Sequence, residues 1–230
     1  MFVGLVAAAA IVAALALVAV LFIQRGREGI DLTPRNLLRT YLYAGSFAGL
    51  AAFVFGVAAL GNFALAAAAG SDVVYGAPPV PRPAIAPACP PNFPNCPQPP
   101  SVEDQLKRMA EQNERRRNED LLRGVTFTVF GGLFYAAHYA SRRALVGAEE
   151  TQSALRRAYL MVGTAVFGLA TVVLVPTGLY QLLANAILPV TADTFRPGVG
   201  DSLMPGLVSL IVWLVFLRLV VTDFRRGTGA

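Results

Sequence analysis

The sequence predicts an all-α integral membrane protein of about five transmembrane helices, and composition and the spacing of its charges carry that reading. Of 230 residues, 55% are hydrophobic and 14% charged, and the mean hydropathy is +0.56. A soluble fold of this size lacks the polar surface to cover so much apolar area, whereas lipid leaves nothing to cover. The net charge of +5 does not point to nucleic acid. Most of the basic residues sit just beyond the ends of apolar runs, at Arg25, Arg27, Arg35, Arg39, Arg142, Arg143, Arg156, Arg157, Arg225 and Arg226, where basic residues orient membrane helices. No single-sign groove with interleaved aromatics is present, so nucleic-acid binding is excluded.

A crossing helix needs about 20 mainly apolar residues. Phe2–Ile23 is one uncharged run, and a second lies between Arg39 and Asp72. A shorter third lies between Arg123 and Arg142, a fourth extends from Arg157 towards Asp193, and a fifth runs from Ser202 to about Val221, with Arg218 near its end. The first run lacks a basic leader and is followed by Gln24-Arg25-Gly26-Arg27, so it reads as a retained anchor over residues 1–24 rather than a cleaved signal. With segments 25–39, 142–157 and the tail 224–230 on the cytoplasmic side, the chain alternates as N-terminus out, C-terminus in. The expected location is a bacterial plasma (inner) membrane, with residues 71–122 extracytoplasmic.

Within that outer segment, residues 71–100 are proline-rich, which excludes helix and central strand over much of their length. Cys89 and Cys96 are the only cysteines. Without nearby histidines they do not complete a zinc site, and their spacing matches no redox motif, so a structural disulfide is the expected use. Ser101-Val-Glu-Asp then reads as a helix start. Val102, Leu106, Met109 and Asn113 recur along one face, with charges between them. A helix continuous from Ser101 to Ser141 would be about 60 Å long, with half of it outside the membrane. Its apolar stripe is either a docking surface or packing against the protein's own loop.

An internal repeat is legible. Arg39-Thr-Tyr41-Leu42-Tyr43-Ala-Gly45-Ser46 aligns with Arg157-Ala-Tyr159-Leu160-Met161-Val-Gly163-Thr164, and each opens a long apolar run followed by another span. The predicted units are residues 36–70 with 101–145, and residues 150–223, in the same membrane orientation. A pseudo-two-fold axis along the membrane normal is expected. Arg-x-Tyr-Leu-Tyr with its following glycine, together with Phe134-Tyr135-Ala-Ala-His138-Tyr139, resembles an uncharacterised bacterial multi-pass membrane domain family of repeated two-helix units. In the second unit the histidine position falls at Phe216, in Trp213-Leu-Val-Phe216. The resemblance implies a fold, without a chemistry.

Candidate functional residues are few. His138 is the only histidine, and a polar ionisable group in a membrane helix is a candidate for haem, quinone or proton chemistry. Its alternative is an interfacial histidine between Tyr135 and Tyr139. Gly45-x-x-x-Gly49 marks a close-packing helix face, and Pro176 is expected to kink or interrupt the fourth span. No phosphate-binding loop, metal-ligand cluster or Ser/His/Asp set is present, so no catalytic residue, metal or cofactor is expected. The expectation is a non-catalytic accessory or scaffold subunit, with membrane-protein partners or further copies of itself beside it in the bilayer. The alternatives are a small transporter or channel and a redox module built on His138.

Overall fold

In the computed structural model the described residues are 33–76, 101–146, 153–188 and 198–227. Anchor 1–24, the prolines of 77–100, Cys89, Cys96 and the last residues of the tail lie outside them. All the described elements are helices: α1 Pro34–Ala69, α2 Ser71–Tyr75, α3 Val102–Val146, α4 Ala154–Ile187 and α5 Leu203–Gly227.

Each boundary has a local cause. Pro34 opens α1 at a position whose N–H would have no helical partner. Gly70 and Gly76 bracket the single turn of α2 at φ +96° and +89°, a backbone region that favours glycine. Ser101 caps α3, its hydroxyl accepting from the Asp104 N–H at 3.1 Å and donating to the Asp104 carboxylate at 2.8 Å. Ser153 caps α4 through the Arg156 N–H at 3.3 Å. Pro176 does not interrupt α4, which is helical from Ala154 to Ile187. Its missing N–H removes one ladder bond, and the rest of the turn holds.

Among the described residues three helices are long and apolar enough to cross a membrane, Pro34–Ala69, Ala154–Ile187 and Leu203–Arg225. Helix α3 is not one of them. It is continuous over 45 residues, about 68 Å, but its first half is charged and its second half is diluted by Thr126, Thr128, Tyr135, His138 and Tyr139.

The helices pack as two antiparallel pairs, α1 against α3 and α4 against α5, with α1 also lying against α4 and α5. Within the first pair the seam is glycine-lined. A Cβ on Gly49 would lie 2.6 Å from the Tyr135 backbone N, and one on Gly131 would lie 2.5 Å from the Phe53 backbone N. Lipid offers apolar side chains no gain from leaving water, so dispersion between closely approached backbones has to hold such a pair. Between the pairs the core is aromatic and aliphatic: Tyr43 and Val54 of α1 against Tyr159, Leu160 and Phe167 of α4 and Phe216 of α5. Tyr43 and Tyr159 lie 5.3 Å apart between ring centroids, and Phe47 and Phe167 6.1 Å apart. Helices α1 and α4 therefore run in the same direction.

The contact between the pairs is not the two-fold one expected. A two-fold axis buries equivalent residues on both sides. Here Tyr159 is 6% exposed and its sequence counterpart Tyr41 is 59% exposed.

Candidate functional site

Two polar regions stand out, one at each end of the helix pairs. At the end where α1 and α4 begin, Gly45 forms a notch in α1 that the His138 ring of α3 fills. His138 is buried, with Nδ1 2.8 Å from the Phe134 carbonyl and Nε2 3.3 Å from the Tyr41 hydroxyl. A carbonyl can only accept, so Nδ1 carries a proton, and in the neutral ring Nε2 then accepts from the Tyr41 hydroxyl. Both ring nitrogens are thereby engaged, and a haem iron would have to displace Tyr41. A parallel arrangement occurs in the second pair, where Phe216 of α5 fills the notch at Gly163 and lies 5.6 Å from the Tyr159 ring. The Ser46 and Thr164 hydroxyls both donate to the carbonyl four residues back, each at 2.8 Å.

His138 thus occupies a place that an apolar ring fills elsewhere in the same chain. His138→Phe is expected to leave helix content unchanged and to shift thermal stability in detergent by less than about 1.5 kcal/mol, as for a swap of similar volume. A collapse of the fold would show that the imidazole nitrogens do more than fill the notch.

Arg142 of α3 lies over Tyr43, Tyr139 and Tyr159, at 4.6, 5.1 and 5.5 Å from the ring centroids. It bridges both pairs by cation–π contact. Nearby in the fold, Arg156 and Asp223 join α4 to α5 at 2.9 Å. Of the repeat-motif residues, Tyr159, Gly45 and Gly163 are buried, Arg39 is partly buried and Arg157 is exposed on the outside of α4. Gly49 faces α3 inside the chain.

The other end holds a polar cavity of about 280 Å³ lined by Asn62, Tyr75, Arg116, Glu119, Asp120, Arg123 and Asp201. Helix α2 is its lid. The Tyr75 hydroxyl donates to Asp120 at 3.1 Å, the Asn113 amide donates to Asp72 at 2.9 Å, and Arg116 reaches the Tyr75 carbonyl at 3.4 Å. The backbone N–H groups of Val199 and Gly200 donate to the Val73 and Val74 carbonyls, each at 3.0 Å. They satisfy acceptors that so short a helix leaves open. Burial raises the Asp120 carboxyl above the usual carboxylate range, against the pull of Tyr75 and Arg123. The Tyr75 phenol is also raised, first by burial and then by the Asp120 charge.

The apolar stripe of α3 divides at this end. Asn113 is buried on α2, Val102 and Met109 are partly covered, and Leu106 is half exposed. The sequence reading did not find this cavity. Its parts lie on four segments far apart in the chain, and its one local signal is a lone Asn62 inside an alanine-rich apolar run.

Over the described residues these features define an all-helical fold with apolar helices long enough for a membrane, tied together by aromatic notches at one end and a polar clasp at the other. No protein-family model, curated protein or solved structure matches it. Among the described residues no group of three or more His, Cys, Asp or Glu is placed to hold a metal ion.

Proposed function

We propose that this chain is a non-catalytic, multi-pass membrane protein that serves as an accessory or scaffold subunit of a larger membrane assembly. It spans the bilayer about five times, counting the run at residues 2–23 and the second half of α3, with its C-terminus cytoplasmic. The organisation is that of two repeated two-helix units, α1 with α3 and α4 with α5, as in the bacterial family that the Arg-x-Tyr-Leu motif resembles. The matching notches at Gly45 and Gly163 support the repeat.

One observation carries the functional reading: the threonine hydroxyls of α4 and both ring nitrogens of His138 are taken up by the fold itself. Thr164, Thr171 and Thr177 each donate to the carbonyl four residues back, at 2.8, 2.7 and 2.7 Å. His138 is closed on both nitrogens. A transport path needs such groups turned to water, and a redox site needs a free ligand atom. Meanwhile the charged first half of α3 projects beyond the apolar part, with Glu111, Glu114 and Arg115 exposed. It offers a rigid rod for a partner outside the bilayer.

Purification from native membranes in a mild detergent, followed by mass spectrometry and a visible spectrum, tests this. A fixed set of copurifying membrane proteins is the expected result. Solute flux through vesicles holding the pure chain alone, or a haem spectrum, would overturn it.

A further inference from the structure

The contact between the two units leaves an open groove on one of them and an open face on the other. In the second unit Leu155 and Tyr159 of α4 and Val208 and Val212 of α5 flank a core that also holds Leu160, Phe167 and Phe216, and α1 packs on it through Tyr43, Phe47, Leu50 and Val54. The alignment that pairs Gly45 with Gly163 and His138 with Phe216 assigns a counterpart to every residue here. In the first unit the counterparts of those four flanking residues are Leu37, Tyr41, Phe130 and Phe134, and all four are exposed, whereas Leu42, Gly49 and His138, the counterparts of Leu160, Phe167 and Phe216, are buried within the unit. The counterparts of the inserted face lie on α4. Tyr43 is 1% exposed where Met161 is 53%, and Val54 is 8% exposed where Val172 is 71%.

A contact that joins unlike surfaces leaves one of each unused at its ends. Repeating the same contact then generates a ring or a longer row. Because α1 and α4 run in the same direction, a second copy inserted in the same bilayer orientation presents its α4 face to the open groove correctly aligned. We infer that a second copy of this chain docks head to tail, its Met161–Val172 face of α4 lying in the Leu37–Tyr41–Phe130–Phe134 groove between α1 and α3. The inference rests on the two-unit repeat proposed above. It continues the packing already present within one chain, where Tyr43 meets Tyr159 at 5.3 Å and Phe47 meets Tyr159 at 6.3 Å. The apolar run at residues 2–23 is the competing occupant.

Disulfide cross-linking in native membranes separates these cases, in a chain with Cys89→Ser and Cys96→Ser. Tyr43→Cys with Tyr159→Cys reports the contact within the chain and is expected to close without changing mass. Tyr41→Cys with Met161→Cys is expected to give covalent dimers or larger species. Neither single variant should do so alone, whereas a mixture of the two singles should. Closure of 43 with 159 but no dimer from 41 with 161 would overturn the docking and leave the packing of the two units, and the proposed function, standing. Failure of 43 with 159 would remove the α1–α4 contact and, with it, the docking that copies it. Self-linking of Tyr41→Cys alone would mean a two-fold contact, and an intrachain link from position 41 to a cysteine within 2–23 would give the groove to that run. Both results overturn the inference. A photo-crosslinking residue at Met161, with both native cysteines kept, reads the same contact if the cysteine-free chain does not insert.

Discussion

Gly56→Val is expected to abolish the packing of α1 on α3, and to do so more severely than any single substitution on the outer helix faces. A Cβ at Gly56 would meet the Thr128 backbone N, and would lie 2.6 Å from Thr128 Oγ1 and 2.7 Å from the Phe127 carbonyl carbon. Backbone cannot rotate away as a side chain can, so the helices must separate. Overpacking costs typically about 1–3 kcal/mol, and the upper end applies where backbone opposes backbone. Separation at Gly56 also strips contact from Gly49, Gly124 and Gly131, which lie along the same seam. Gly132 provides the control. Its Cβ would face only the Phe53 ring at 3.3 Å, which can yield, so Gly132→Ala is expected to be nearly silent. Thermal unfolding in detergent, followed through Trp213 fluorescence and helix content, reads both. A Gly56→Val chain melting within a degree of the parent would mean that the seam is not held by backbone approach.

Arg156→Met is expected to cost about 2–3 kcal/mol, more than removal of both partners together. The Arg156 and Asp223 side chains are 23% and 15% exposed and meet at 2.9 Å. Asp223 Oδ2 is buried and accepts no hydrogen bond among the described residues. Without the guanidinium, a carboxylate is left in a poorly solvated place at the join of α4 and α5. Exposed ion pairs on α3, such as Arg115–Glu119 with 83% and 42% exposure, contribute little because water and salt screen them. The double variant Arg156→Met, Asp223→Leu is therefore expected to recover most of the loss. Equal destabilisation of single and double variants in a mutant cycle would show that the pair itself, rather than the stranded charge, carries the effect.

These two expectations rest on different kinds of information. The glycines of the seam were partly visible in the sequence, since Gly45-x-x-x-Gly49 announces a close-packing face wherever it occurs. The partner was not visible. That Gly49 faces Tyr135 and Gly56 faces Thr128 depends on the register of two helices whose glycines lie some eighty residues apart in the chain. Asp223 likewise reads in sequence as one acid in a basic tail, and only folding brings it to Arg156.

The sequence by itself determined the helical class, the three long apolar helices and the start of α3 at Ser101. Each of these depends on residues within a few turns of one another: a run of alanine and valine, or Ser101 as a cap. The Tyr-Leu-x-x-Gly pattern was also legible, because it recurs at identical local offsets. The tertiary structure alone decided which of two equivalent tyrosines is buried, how the polar cavity over α2 is assembled, and that His138 is closed between Tyr41 and Phe134. Local propensity acts through neighbours in the chain, whereas burial and hydrogen-bond closure are properties of surfaces that meet only after helices distant in sequence have packed.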